Sequence, residues 1–305
     1  MKGSQRKIGF ITLVLLLLLP RIPVSAQDKV FEDALGHITK MDSSPKRIIS
    51  LAPNITEILF ALGLGESVIG VTRFCDYPPE ATQKEKIGGL VDPNLEKIIS
   101  LNPDLIIGFR GNPIRLIKRM QEFNLPVFVL ETGTTIDSVF SVIESVGQIT
   151  WMEKRAAELL QPLMLQYQNI ISALERIDNI PKVFVFLHGM GLWTCGKNSF
   201  MDDLLNKAKG KNIAGNIQKK WLLFSQEKLI AENPDFIIIL SKSQEAFLEA
   251  KKSISKGVYL KTLQAVERGK VYFLDENLAT RPGPRIIEAL NNLARIFHPE
   301  AFSIK

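Results

Sequence analysis

Thiol and imidazole are scarce in this chain, with two cysteines and three histidines in 305 residues. A disulfide framework needs more cysteine in a smaller chain. Cys75 and Cys195, one in each half and both in loops after expected strands, are therefore expected as free, partly buried thiols. His37, His188 and His298 are too few and too scattered for a histidine-rich zinc or manganese receptor, and no metal ligand set is expected. No G-x-S-x-G elbow occurs, His188 has no evident nucleophile partner in sequence, and Cys75 beside Asp76 is not a dyad by itself. No catalytic residue and no resident cofactor are expected. Low-complexity segments are missing too.

Long apolar runs are equally rare. The one of note is residues 8–19, too short to span a bilayer as an ordinary helix. Lys2, Arg6 and Lys7 precede it, and Val24-Ser25-Ala26 follows as a small-x-small cleavage site. This reads as a secretory signal peptide over residues 1–26, with the mature chain starting near Gln27. No cysteine follows the site, so no lipid anchor is expected, which favours a periplasm. The leader holds Lys2, Arg6, Lys7 and Arg21 and no acid, so four of the net +6 charges leave with it and +2 remain. Nothing in that balance suggests a nucleic-acid footprint. The roughly 280 residues that remain suffice for two modest domains.

What is present is a repeat. Residues 94–107 read NLEKIISLNPDLII and residues 225–238 read SQEKLIAENPDFII, identical at eight of fourteen places. Each copy scans as a short amphipathic helix, a Pro-marked turn (Asn102-Pro103-Asp104, Asn233-Pro234-Asp235) and a buried strand. Repeats of 20–50 residues would indicate a solenoid. A spacing of 131 indicates two similar lobes instead, holding something between them.

The surrounding pattern agrees. A hairpin turning at Leu35-Gly36 occupies the lead-in, residues 27–46. Strands are expected at 47–51, 68–71, 105–107 and 127–130 in an N-terminal lobe, residues 47–151, and at 183–187, 236–240 and 270–274 in a C-terminal lobe, residues 181–305. Asn54 is expected to cap the first helix, with Glu57 completing a box. Residues 152–180 form a long linker helix that Pro162 should kink and Pro181 should close. The class is α/β: two lobes with parallel-rich sheets flanked by helices, joined by one long helix, with a ligand cleft between them. A helical connection predicts small opening motions.

Three kinds of residue stand out. Gly191-Leu192-Trp193-Thr194-Cys195-Gly196-Lys197-Asn198 nearly spells a phosphate loop, but Asn198 stands where a Ser or Thr must reach magnesium. It reads as a glycine loop in close approach to a ligand or helix. Phe74, Tyr77, Phe109 and Trp193 follow strand ends, and Trp221 sits in an irregular stretch, a set suited to stacking on a large flat ligand. Arg110 and Arg281 are candidate edge contacts. Trp151 reads as structural. Glu96 and Glu227 hold the same place in both repeats, near a helix N-terminus, as dipole-favoured acids or as a matched docking pair.

Several phrases together resemble the periplasmic substrate-binding proteins of cobalamin and ferric-siderophore ABC importers, most of all the vitamin B12 receptors. They are Phe31-Glu32-Asp33-Ala34-Leu35-Gly36-His37, Arg47-Ile48-Ile49-Ser50-Leu51-Ala52-Pro53-Asn54, Cys75-Asp76-Tyr77-Pro78-Pro79, both E-K-x-I-x-x-N-P-D units, and Pro284-Arg285-Ile286-Ile287. The resemblance implies a monomeric receptor that binds a corrinoid and delivers it to a permease dimer with its ATPase, without covalent chemistry. It implies that Phe74, Leu90, Phe109, Trp193 and Trp221 sandwich the corrin from both lobes, Leu90 standing where an aromatic is usual. It also implies that Glu96 and Glu227 meet arginines of the permease. His188 would lie in a loop on the cleft side, as a candidate axial contact to a ligand metal. On the same scaffold a ferric siderophore or haem would lean on Arg73, Arg110 and Arg281. An exported enzyme or sensor would need a titratable cluster that the sequence does not display.

Overall fold

The structure is a computed structural model that describes residues 29–189, 191–257 and 260–303; the leader, residues 1–26, lies outside the described residues. A hairpin of β1 (Lys29–Glu32) and β2 (Ile38–Met41) turns at Gly36, whose φ of 78° suits a residue without Cβ. The N-terminal lobe follows as β3 (Ile48–Ser50), α1 (Pro53–Ala61), β4 (Val68–Val71), β5 (Glu85–Lys86), α2 (Leu95–Ser100), β6 (Leu105–Phe109), α3 (Ile114–Glu122), β7 (Val127–Leu130) and α4 (Ile136–Ile149). Its five strands are all parallel, in the order β5-β4-β3-β6-β7. Residues of β3, β6 and β7 are buried almost throughout, as a sheet covered on both faces requires.

The helix α5 (Glu153–Leu174) connects the lobes and runs unbroken through Pro162; it ends well before Pro181. The C-terminal lobe comprises β8 (Lys182–Leu187), β9 (Trp193–Cys195), α6 (Phe200–Lys207), β10 (Lys211–Asn212), β11 (Trp221–Leu223), α7 (Gln226–Glu232), β12 (Phe236–Ser241), α8 (Gln244–Lys256), α9 (Gln264–Glu267), β13 (Val271–Asp275), α10 (Glu276–Thr280) and α11 (Ile286–Phe297). Its main sheet is parallel, ordered β10-β8-β12-β13, and β9 with β11 makes a separate antiparallel ribbon. Helix α8 had no place in the sequence reading. Its signal is a Ser243 cap with Phe247, Ala250 and Ile254 buried at helical spacing in a Lys- and Glu-rich stretch.

The repeat is a structural clamp. Asn94 and Ser225 cap α2 and α7 by accepting from the amides of Lys97 and Lys228, at 3.0 and 3.1 Å. Asn102 and Asn233 then leave each helix left-handed, at φ 45° and 44°. The carboxylate of Asp104 accepts from the amides of Lys46 and Arg47, and that of Asp235 from the amide of Lys182, so each turn ties its helix to the start of β3 or β8. The recurrence of N-P-D thus reflects one joint used twice.

One apolar core runs through both lobes. It joins Ile58 of α1, Ile143 of α4, Leu160 of α5, Leu204 of α6 and Leu290 of α11. Separate cores fill the outer faces, around Ile106 and Ile117 in one lobe and Ile239 and Phe247 in the other. Across the lobe boundary the amide of Ile136 donates to Asp203 at 2.9 Å, and Lys207 lies 3.7 Å from Asp137. Sliding one lobe over the other would expose this core.

Two local expectations are corrected. Asn54 does not cap α1: Pro53 starts the helix after Ala52, with no side-chain cap, because proline needs no amide partner at that position. Asn54 instead donates to the carbonyl of Pro282 at 3.4 Å, and Glu57 is buried against arginine. The cysteines are free but fully buried, and Cys195 lies in a strand. Thr56 donates to the Cys75 sulfur at 3.2 Å.

Candidate functional site

Ligands of parallel sheets sit beyond the carboxyl ends of the strands, and the two lobes turn those ends toward each other. Asn54 follows β3, Phe74 follows β4, Leu90 follows β5, Phe109 ends β6 and Thr132 follows β7. From the other lobe Lys242 follows β12, and Glu276, Asn277, Thr280, Arg281 and Pro282 follow β13. These side chains enclose a cavity of about 360 Å³. Its N-terminal wall carries Phe74, Leu90 and Phe109; its C-terminal wall is polar. Four residues singled out from sequence, Phe74, Leu90, Phe109 and Arg281, meet here.

The apolar wall is held by residues that the sequence did not advertise. The side-chain oxygen of Asn112, itself buried, accepts the amide of Phe109 at 2.9 Å, and its nitrogen donates to the Leu90 carbonyl at 3.1 Å. A Cβ at Gly111 would lie 2.1 Å from the Phe109 ring, so glycine there leaves the ring its place. Phe74 stays 45% exposed at the mouth.

The arginines are already engaged. Arg73 pairs with Asp92 at 2.9 Å, and Arg110 holds Glu131 at 3.0 Å and donates to the Ala34 carbonyl, away from the cavity. Arg281 binds Asp76 through both Nη atoms and lies 3.8 Å from Glu57. Arg285 grips Glu57 with two hydrogen bonds, of 2.7 and 2.9 Å, and stacks 3.6 Å over the Tyr77 ring. The hydrogen bond from Arg281 holds the Asp76 carboxyl below the usual carboxylate range. Arg110 and Arg281, the candidate edge contacts, are thus each paired with an acid of their own fold, and of the two only Arg281 lines the cavity.

The tryptophans stand elsewhere. Trp193 and Trp221 belong to β9 and β11, where Trp193 faces Leu223 and Trp221 faces Cys195, so both project from one face of the ribbon. Strand pairing, which sequence alone did not reveal, takes Trp221 out of the irregular stretch and Trp193 out of a loop. Neither lines the cavity, and neither does His188, whose amide donates to the Leu240 carbonyl. Trp151 packs under the Lys29 ammonium at 4.2 Å. Glu96 and Glu227 are both exposed, each second in its helix, and form no ion pair among the described residues.

A larger cavity of about 680 Å³ flanks α6, lined by Lys197, Asp202, Asp203, Asn212 and Glu232 among others. Asn212 and Asp202 bond each other there at 2.8 Å, and the cavity lacks an apolar wall, so it is the weaker candidate. The glycine loop contributes to it, but Gly196 is required by backbone: a Cβ would meet the Lys219 carbonyl at 2.3 Å. No group of three metal-ligating side chains occurs among the described residues, and no helix among them is long and apolar enough to cross a membrane.

Comparison with known proteins agrees with this architecture. A family profile described as periplasmic binding protein matches residues 48–278. An uncharacterized ABC transporter substrate-binding lipoprotein of Bacillus subtilis is 31% identical, over 89% of this chain and 86% of its own. The vitamin B12-binding protein of Photorhabdus laumondii is 29% identical, over 83% and 88%. The periplasmic heme-binding protein RhuT of Roseiflexus superposes with a TM-score of 0.74 at 28% identity, over 84% of this chain and 99% of that one. The chain therefore belongs to the periplasmic binding protein family, as a substrate-binding component of an ABC importer.

Proposed function

We propose that this protein captures a corrinoid, cobalamin in particular, in the cleft between its lobes and hands it to a permease dimer. The observation that carries the reading is the character of the cavity. One wall is apolar and the other polar, with Asn277 and Thr280 beside the charged Lys242 and Glu276, while each arginine around the cavity is bound to a carboxylate. A flat macrocycle laid on Phe74, Leu90 and Phe109 gains by apolar burial and stacking. Its edge amides find partners in Asn277, Thr280 and Lys242. Relatives named vitamin B12-binding protein support it.

Haem is the second reading, supported by heme-binding neighbours of equal likeness. Protein-held haem needs an axial ligand such as His, Tyr, Met or Cys. Among the described residues, none that lines the cavity is of those types, whereas cobalamin carries its own lower axial base. Export by a cleaved leader over residues 1–26, without lipid attachment, and docking of Glu96 and Glu227 on permease arginines complete the proposal.

The test is titration of protein lacking residues 1–26 with cyanocobalamin and, in parallel, haemin, read by co-elution on gel filtration and by calorimetry. Stoichiometric, tight cyanocobalamin binding is expected. Tighter binding of haemin would transfer the assignment to haem.

A further inference from the structure

Three stretches distant in sequence, residues 54–57, 75–77 and 281–285, meet beside the cavity. The N-terminal lobe supplies two carboxylates, Glu57 and Asp76, and the C-terminal lobe two guanidiniums, Arg281 and Arg285. Their surroundings differ. The Glu57 side chain is 3% exposed and is taken up by both hydrogen bonds of Arg285. Arg281, 13% exposed, reaches Glu57 only at 3.8 Å and spends its fork on Asp76. Asp76 is the open member, at 54%. Arg281 lines the cavity and Asp76 does not.

An arginine that faces a ligand cavity is ordinarily an anion receptor, its planar fork matched to carboxylate. We propose that Asp76 is a specificity-determining residue: as an internal anion it fills the fork of Arg281 and so turns the cleft toward neutral, amide-edged ligands and against carboxylate-bearing ones. A ligand carboxylate must displace a tethered, two-point partner and leave Asp76 unpaired, a cost that a ligand amide does not incur. Glu57 is a poor replacement for Asp76, since Arg285 already holds both of its oxygens and Arg281 reaches it only at 3.8 Å. Removing the Asp76 charge leaves two guanidiniums against one carboxylate, with the unbalanced one on the cavity side. Asp76 is ionised across the neutral range, because Arg281 holds its carboxyl low.

The inference rests on the corrinoid reading in one arm of its test only. Wild type, Asp76→Asn, Asp76→Ala and the double variant Asp76→Asn with Arg281→Gln are titrated with three probes: cyanocobalamin, its monocarboxylic acids (one edge amide hydrolysed) and haemin. Melting curves confirm the fold of each, and Asp76→Ala stands in should Asp76→Asn fail to fold. The single variants are expected to bind the carboxylate probes roughly tenfold more tightly relative to cyanocobalamin. That gain should shrink with salt and vanish in the double variant. A ratio within about twofold of wild type overturns the inference. If wild type binds no cyanocobalamin, the corrinoid reading fails, and the haemin affinity of the single variants against that of wild type decides this one, a change within about twofold overturning it.

Discussion

Replacing Glu57 with alanine should destabilise the whole protein, although the residue sits in the first helix of one lobe and its partner in the other. Glu57 is 4% exposed, and Arg285 gives it two hydrogen bonds of 2.7 and 2.9 Å. Breaking a buried ion pair from one side costs about 3–5 kcal/mol, because a charge is left without its partner. Here the lower end applies. Arg285 is 21% exposed and keeps its stacking on Tyr77, so its stranded charge retains some solvation. The expected loss is about 3 kcal/mol, a fall in Tm of roughly 6–10 °C for a chain of this size. Because one core spans both lobes, unfolding should remain a single transition. Urea and thermal denaturation of Glu57→Ala, Arg285→Ala and the double variant supply the cycle, with a coupling of about 2 kcal/mol expected. A loss below about 1 kcal/mol for Glu57→Ala, or additive single effects, would refute the reasoning and make this pair a surface-like contact.

Phe109→Ala and Phe74→Ala should each weaken cyanocobalamin roughly five- to thirtyfold, more than Trp193→Ala or Trp221→Ala; calorimetric titration giving the reverse order would move the site to the β9–β11 ribbon. Burial pushes the Cys195 thiol up to about 12 and raises that of Cys75. Neither should react with an aromatic disulfide reagent at neutral pH before denaturation, and both should react after it; fast labelling of the native protein would contradict their burial. Glu96→Ala with Glu227→Ala should spare ligand affinity and impair uptake through the reconstituted importer, and a fall in affinity would undo the docking assignment. The folded pKa of Asp76 is depressed, so its contribution is complete above its unfolded value of about 4 and is lost as pH falls through the lower folded one. As a half-exposed group it is worth under about 1 kcal/mol. The Tm gap between wild type and Asp76→Asn should therefore close in acid, and a gap that persists at pH 2 would mean the pairing is not electrostatic.

Periodicity and punctuation determined the scaffold. Apolar runs bounded by turns marked β4 and β7 to the residue, and the N-P-D repeat marked two equivalent joints, because backbone preference and burial on a parallel sheet act over a few neighbours. The linker helix was legible in the same way, and the wall residues Phe74 and Phe109 as aromatic side chains at strand ends, whereas Leu90 was named only through the family resemblance. Tertiary structure decided what those residues meet. The pairing of β9 with β11 set the face from which Trp193 and Trp221 project, and no local pattern encodes a pairing across 25 residues of loop and helix. Whether Arg281 is a free cation or a neutralised one depended on Asp76, 205 positions away. Charge acts through space, so a sequence names the ions of a site, and only the fold determines which of them are already paired.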